Sequence, residues 1–227
     1  MTVVQTRILA PQTTTQKTAP KGRLWTGLAL IVFPILSVFI YASHPNLLSL
    51  QPVHGVDDWI AEWHGNTLLH ISHVLMLLCV PLLIAISVEL MTMLRAKGRR
   101  YGFAGGILAV VGATFLAADK GALCLVTSAL DTLSAAEFEQ IYPAIVAIKG
   151  MQGWLWLVYG LVLLPIGFVI MGLGLYRTAI LPRWQSGLLI VGSALLLNPD
   201  IELISVVASC LLAAALVPLG VQRIRKA

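Results

Sequence analysis

The apolar positions of this chain fall into six long blocks, at 25–43, 66–94, 103–126, 153–176, 184–198 and 201–221, with short polar stretches between them. A helix crosses the roughly 30 Å of bilayer hydrocarbon in about 20 residues. The blocks therefore predict an all-α fold: a polytopic membrane helix bundle with about six transmembrane helices. The fifth block is short, so the turn Asn198-Pro199-Asp200 behind it is expected to dip below the outer headgroups. The alternative is five spans with the last two blocks forming a re-entrant hairpin.

Two polar stretches carry a pattern of their own. In 57–64, Trp59, Ile60 and Trp63 share one helical face and Asp58 and Glu62 another, which predicts a short interfacial helix. In 134–148, Ser134 and Glu137 have the spacing of a capping box, and Phe138, Ile141, Tyr142 and Ile145 recur at helical intervals. A second outer-face helix is expected there, folded over the bundle as a lid. Residues 1–22, rich in Thr, Gln, Pro and Lys, read as a disordered tail ahead of a single transmembrane domain at 23–227.

Charge orients the spans. Of 15 Lys and Arg, all but Lys120 and Lys149 fall on one side, in clusters beside the apolar blocks. All five His and every acid except Glu89 fall on the other. The positive-inside rule puts both termini in the cytoplasm of a cell-membrane protein. Trp25 and Trp184 then mark inner boundaries, and Trp59, Trp63, Trp154 and Trp156 outer ones.

Composition agrees. The chain is 58% hydrophobic and 11% charged, against about 25% charge in soluble domains. Its net charge of +5 is distributed as loop clusters and does not predict a nucleic-acid partner. Lipid is the expected surroundings, with partner membrane helices or a second copy as possible neighbours. Cys79, Cys124 and Cys210 lie inside apolar blocks, with no disulfide or zinc-finger spacing. Pro34, Pro81, Pro165 and Pro218 sit within spans, where neighbouring helices satisfy freed carbonyls. Gly105, Gly106, Gly112, Gly187 and Gly192 are expected at close helix contacts.

One constellation carries candidate chemistry. Asn66, His70 and His73 share a face at the outer start of the second span, with His64 one short turn upstream. The positive end of a helix dipole favours neutral imidazole, the metal-binding form. Counting about 1.5 Å per residue from the inner basic layer, His73, Asp119 and Glu202 all reach roughly 28–33 Å. His70, His73, Asp119, Glu202 and, more peripherally, His64 are the candidate ligands for a divalent transition metal, Zn, Cu or Fe. Asn66, Lys120 and Asp200 are further polar candidates in that layer. A metal-free polar or proton-relay site, and plain boundary polarity, are the competing readings. A haem between spans is disfavoured, because all five His lie in 44–73. Glu89, alone on the inner half, is expected to pair with Arg95 or Arg177.

The chain contains no phosphate-binding loop, dinucleotide fingerprint, HExxH or GxSxG. The stretch Gly172-Leu-Gly-Leu-Tyr-Arg, Leu181-Pro-Arg-Trp184 and Gly187-Leu-Leu-Ile-Val-Gly192 resembles small, uncharacterised bacterial polytopic membrane proteins. That resemblance implies a membrane-packing pattern and no activity. An outer-boundary His/acid site on an integral membrane protein is the leading reading; a small transporter or channel and an accessory subunit of a membrane complex are the alternatives.

Overall fold

A computed structural model describes residues 20–53, 55–198 and 200–227. It is helical, with no strand among the described residues. The elements are α1 (Pro20–Ala42), α2 (Val56–Trp63), α3 (Thr67–Met93), α4 (Arg99–Asp119), α5 (Val126–Leu130), α6 (Ala135–Lys149), α7 (Leu163–Thr178), α8 (Arg183–Leu195) and α9 (Glu202–Arg225). A wide π turn at Lys120–Leu125 joins α4 to α5, and a 3₁₀ segment at Leu155–Val162 leads into α7. The tail assigned to 1–22 lies outside the described residues up to residue 19; the helix has begun by Pro20.

Five stretches are long and apolar enough to cross a membrane: Gly22–Ala42, Thr67–Met93, Arg99–Leu130, Leu155–Thr178 and Glu202–Arg225. α8 is not among them. Its 13 residues reach only about 20 Å. It nevertheless takes a full place in the bundle. Packing runs in a closed ring in chain order, α1 on α3, α3 on α4, α4 on α7, α7 on α8, α8 on α9 and α9 back on α1.

What surrounds this ring follows from its outer face. Trp25, Ile35, Leu78, Phe103, Trp156, Trp184 and Val191 all stand more than a third exposed. Such a surface is untenable in water and ordinary in lipid. The interior is built from Leu30, Leu83, Ile86, Leu90, Met171, Leu175 and Leu216, each almost fully buried.

Small residues set the closest approaches. A Cβ on Gly105 would lie 2.6 Å from the Gly167 carbonyl oxygen, and one on Gly167 would lie 2.4 Å from the Gly105 oxygen. α4 and α7 therefore meet backbone to backbone, as close membrane packing requires. Gly27 and Gly220 do the same for α1 and α9. Gly106, Gly112 and Gly192 also sit at close contacts, but Gly187 faces open space, against the sequence expectation.

Polar side chains tie the helices near the C-terminal end of α3. Glu89 pairs at 2.5 Å with Arg223 of α9 rather than with Arg95 or Arg177. Arg177 instead bonds to the Tyr101 hydroxyl and lies over its ring. Buried Gln185 donates to the Ala215 carbonyl, tying α8 to α9.

Candidate functional site

The N-terminal end of α3 begins with a cap. The Asn66 side chain accepts from the Leu69 amide at 3.1 Å and donates to the Glu62 carbonyl at 3.0 Å. It thereby spends its polar atoms on the helix end and on α2, rather than facing His70 and His73. His70 stands one turn into α3. His73 stands one turn deeper, about 5 Å along the axis.

His70 belongs to an upper cluster centred on Asp131, in the turn behind α5. Asp131 lies 2.7 Å from Nδ1 of His64 and 3.2 Å from Nε2 of His70. It also accepts from the Gly65 amide at 2.9 and 3.1 Å. Burial works to raise the Asp131 pKa, but the Gly65 amide, the His70 hydrogen bond and the two imidazoles outweigh it and hold the carboxyl below its ordinary value.

Around this carboxylate the two short helices close. Trp63 is buried, with its ring 5.9 Å from Phe138 of α6 and 6.5 Å from His70. Tyr142 donates to Asp57 at 2.7 Å, and Lys149 lies over the Trp59 ring. α6 is started by Glu137, whose carboxylate accepts from the Ser134 amide and hydroxyl. The expected capping box is formed. Trp63, assigned from sequence to the outer aromatic belt, is instead inside this packing.

His73 belongs to a lower cluster. Its ring meets that of His44 edge-on at 5.4 Å. His44 follows α1, stacks on Tyr41 at 6.3 Å and lies 3.1 Å through Nδ1 from the Ile40 carbonyl. Its Nε2 is 3.6 Å from Glu202 in the first turn of α9. Burial lowers the His44 pKa, and Lys120 lowers it further; the Ile40 carbonyl and Asp200 oppose this without reversing it. The folded site therefore favours the neutral imidazole of His44. Asp119 is buried and bonded at 3.1 Å to Lys120, its chain neighbour at the start of the π turn. Nδ1 of His70, Nδ1 of His73 and Oε2 of Glu202 are buried with no hydrogen-bond partner.

The predicted residues thus divide. His64 and His70 go to Asp131, His73 and Glu202 to His44, and Asp119 to Lys120. Among the described residues no three His, Cys, Asp or Glu side chains are arranged to hold a metal ion. Sequence reasoning missed Asp131 and His44. The helix begun at α4 runs on through the π turn to Leu130, which carries Asp131 above the layer counted for Asp119. His44 sat in a polar stretch assigned to no element. The one available signal was that Asp131 lies three residues before Ser134, the cap of α6.

The profile of a domain of unknown function, DUF4386, matches residues 25–224. The chain belongs to the DUF4386 family. The match spans all six ring helices and both clusters, so the site lies inside the DUF4386 domain. No curated protein and no solved structure matches the chain.

Proposed function

We propose that this DUF4386 protein is a six-span protein of the cell membrane, termini in the cytoplasm, carrying an outward-facing imidazole–carboxylate site for acid–base handling of a small or lipid-soluble substrate. α8 is the short sixth span, and α2 and α6 lie at the outer interface as a cover. The charge sorting and the apolar outer faces of α8, at Trp184 and Val191, support this topology. The observation that carries the site is the pairing of His44, His64, His70 and His73 each with a carboxylate or another imidazole, with Nδ1 of His70 and His73 left unpartnered. Neutral imidazole beside a carboxylate is the usual composition of a proton-accepting site.

A metal-free site is favoured over a metal centre because the donors group as pairs and as a bridged carboxylate. Conduction is disfavoured because the ring beneath the site is apolar. Three measurements test the reading. Leu48→Cys should react with an impermeant maleimide added outside intact cells and Lys97→Cys should not; the reverse overturns the orientation. Purified protein should carry no stoichiometric zinc, copper or iron, and proteoliposomes should pass no protons. Metal lost on His64→Ala and His70→Ala would replace the reading with a metal centre, and proton flux abolished by His44→Gln would replace it with a transporter.

A further inference from the structure

The basic residues gather at one end of the bundle. The Arg23 guanidinium donates to the Lys226 carbonyl, Glu89 pairs with Arg223, and a Cβ on Gly98 would lie 3.1 Å from Cγ2 of Thr178. α1, α4 and α8 therefore begin where α3, α7 and α9 end. Glu89 is the one acid at this end among the described residues, and it is taken by Arg223. Residues 1–19 contain no Asp or Glu. Arg99, Arg100, Arg177 and Arg183 are exposed, and none of them makes an ion pair among the described residues.

Two of these guanidiniums are held in place. Arg177 bonds to the Tyr101 hydroxyl and lies over its ring, Cζ 5.6 Å from the centroid. Arg183 lies over the Tyr176 ring at 5.8 Å. Tyr176 is the chain neighbour of Arg177, so both platforms stand at the α7–α8 turn. A ring beneath a guanidinium fixes its plane and leaves N–H groups free at the edge. Arg95, Lys97 and Arg225 are exposed too, but none lies over a ring among the described residues. Arg177 suits the last turn of α7, where the dipole favours a cation. Arg99, Arg100 and Arg183 do not: they stand in the first turns of α4 and α8, which hold no acid and no side-chain cap. There they add to the positive end of the dipole instead of offsetting it.

The flanks are apolar. Phe103 stands one turn from Arg99, Leu173 one turn from Arg177, and Trp184 beside Arg183, each more than a third exposed. A spacing of four puts Arg99 with Phe103, and Arg177 with Leu173, on shared helix faces. These cations therefore end lipid-facing stripes. We propose that Arg177 and Arg183, with Arg99 and Arg100 adding charge, bind the phosphate of an anionic phospholipid whose acyl chains lie along those stripes. Stacked guanidiniums suit a phosphate oxygen pair. A zwitterionic headgroup would bring an ammonium, and the one carboxylate at this end is already paired. The site lies away from the imidazoles and stands whether or not they handle protons.

The probe is dioleoyl-phosphatidylglycerol, compared with dioleoyl-phosphatidylcholine, titrated onto the full-length protein in neutral detergent. Native mass spectrometry counts the retained lipid. One phosphatidylglycerol should be retained at concentrations where phosphatidylcholine is not. R177A/R183A should weaken retention about ten-fold or more, the scale of hydrogen bonds to a charged group. R177K/R183K should recover only part of that, because an ammonium lacks the planar fork. K97A/R225A removes the same charge from exposed positions without a ring beneath them, and should change retention by less than about two-fold. Equal retention of the two lipids overturns the proposal, and that comparison needs only the unsubstituted protein. Equal losses in R177A/R183A and K97A/R225A also overturn it, leaving a diffuse field with no site. Displacement of the lipid by inorganic phosphate at equal concentration overturns the lipid as the source of the phosphate.

Discussion

The Asp131 carboxylate lies 3.2 Å from Nε2 of His70, joining the turn behind α5 to the first turn of α3 across 61 residues of sequence. The same carboxylate takes the Gly65 amide and His64, so it binds the α2–α3 corner to the base of α6. Replacing Asp131 with Ala removes three partners at once and leaves a buried imidazole nitrogen and an amide unpaired. A loss of about 1–3 kcal/mol is expected. Thermal unfolding in nanodiscs reads it, and limited proteolysis should cut first between α2 and α6. Unchanged Tm and unchanged cleavage would remove Asp131 as the tie.

Acid should weaken the two clusters in two stages. His44 is held below its ordinary value, so the folded state favours neutral imidazole. Its contribution is complete above about pH 6.5 and declines as pH falls below that, where the unfolded chain takes up the proton first. Asp131 is likewise held below its ordinary value. Its contribution is complete above about pH 4 and is lost as pH falls through the folded value. Tm measured from pH 8 down to pH 2 should drop in the upper window for the native protein and not for His44→Gln. Asp131→Asn should keep the upper drop and lose the lower one. A flat profile in both windows contradicts the assignment.

Much of the architecture was legible because apolar length and capping chemistry are local. The blocks at 66–94 and 201–221 became α3 and α9 with boundaries shifted by a few residues, and Ser134 with Glu137 started α6 as the spacing required. What escaped was set by tertiary geometry. Nothing in the pattern around Lys120 encodes a π turn, so the continuation to Leu130 and the height of Asp131 were invisible. Nor does spacing along one helix say which neighbour an imidazole meets. His70 and His73 share a face, yet one turn of separation sends them to different clusters. Glu89 found Arg223 because α9 brings its last turn to α3, a proximity that sequence distance hides.

The glycines separate packing from mere smallness. Gly167→Ala places a methyl 2.4 Å from a backbone oxygen of α4, which neither helix can move aside cheaply. A loss of about 1–3 kcal/mol is expected from overpacking. Gly187→Ala meets open space within α8 and should gain up to about 1 kcal/mol from helix propensity. Paired Tm measurements in the same lipid should therefore move in opposite directions. Equal destabilisation by both would mean that α8 contacts something at Gly187 in the membrane.

Asn198 holds the α8–α9 turn together. On the proposed six-span topology α8 ends about 10 Å short of a full crossing, so the α8–α9 turn would lie where water is scarce and its backbone groups need protein partners. Asn198 supplies several from one side chain. Its Nδ2 donates to the Leu195 carbonyl at 2.9 Å and to the Ser205 hydroxyl at 3.0 Å, while Oδ1 accepts the Ile201 amide at 2.6 Å. Both helix ends and Ser205 are thereby satisfied together. Asn198→Ala should cost about 2 kcal/mol or more, since each orphaned group pays its own desolvation. Asn198→Asp keeps the acceptor but loses both donated bonds and adds a charge, and should fare no better. Ser205→Ala removes one bond and should cost about 1 kcal/mol. The ordering is read from Tm in nanodiscs, with hydrogen exchange of the Ile201 amide as the local probe. If Asn198→Ala left that amide as protected as before, the turn would have to reach water, and α8 would sit higher in the bilayer than its length implies.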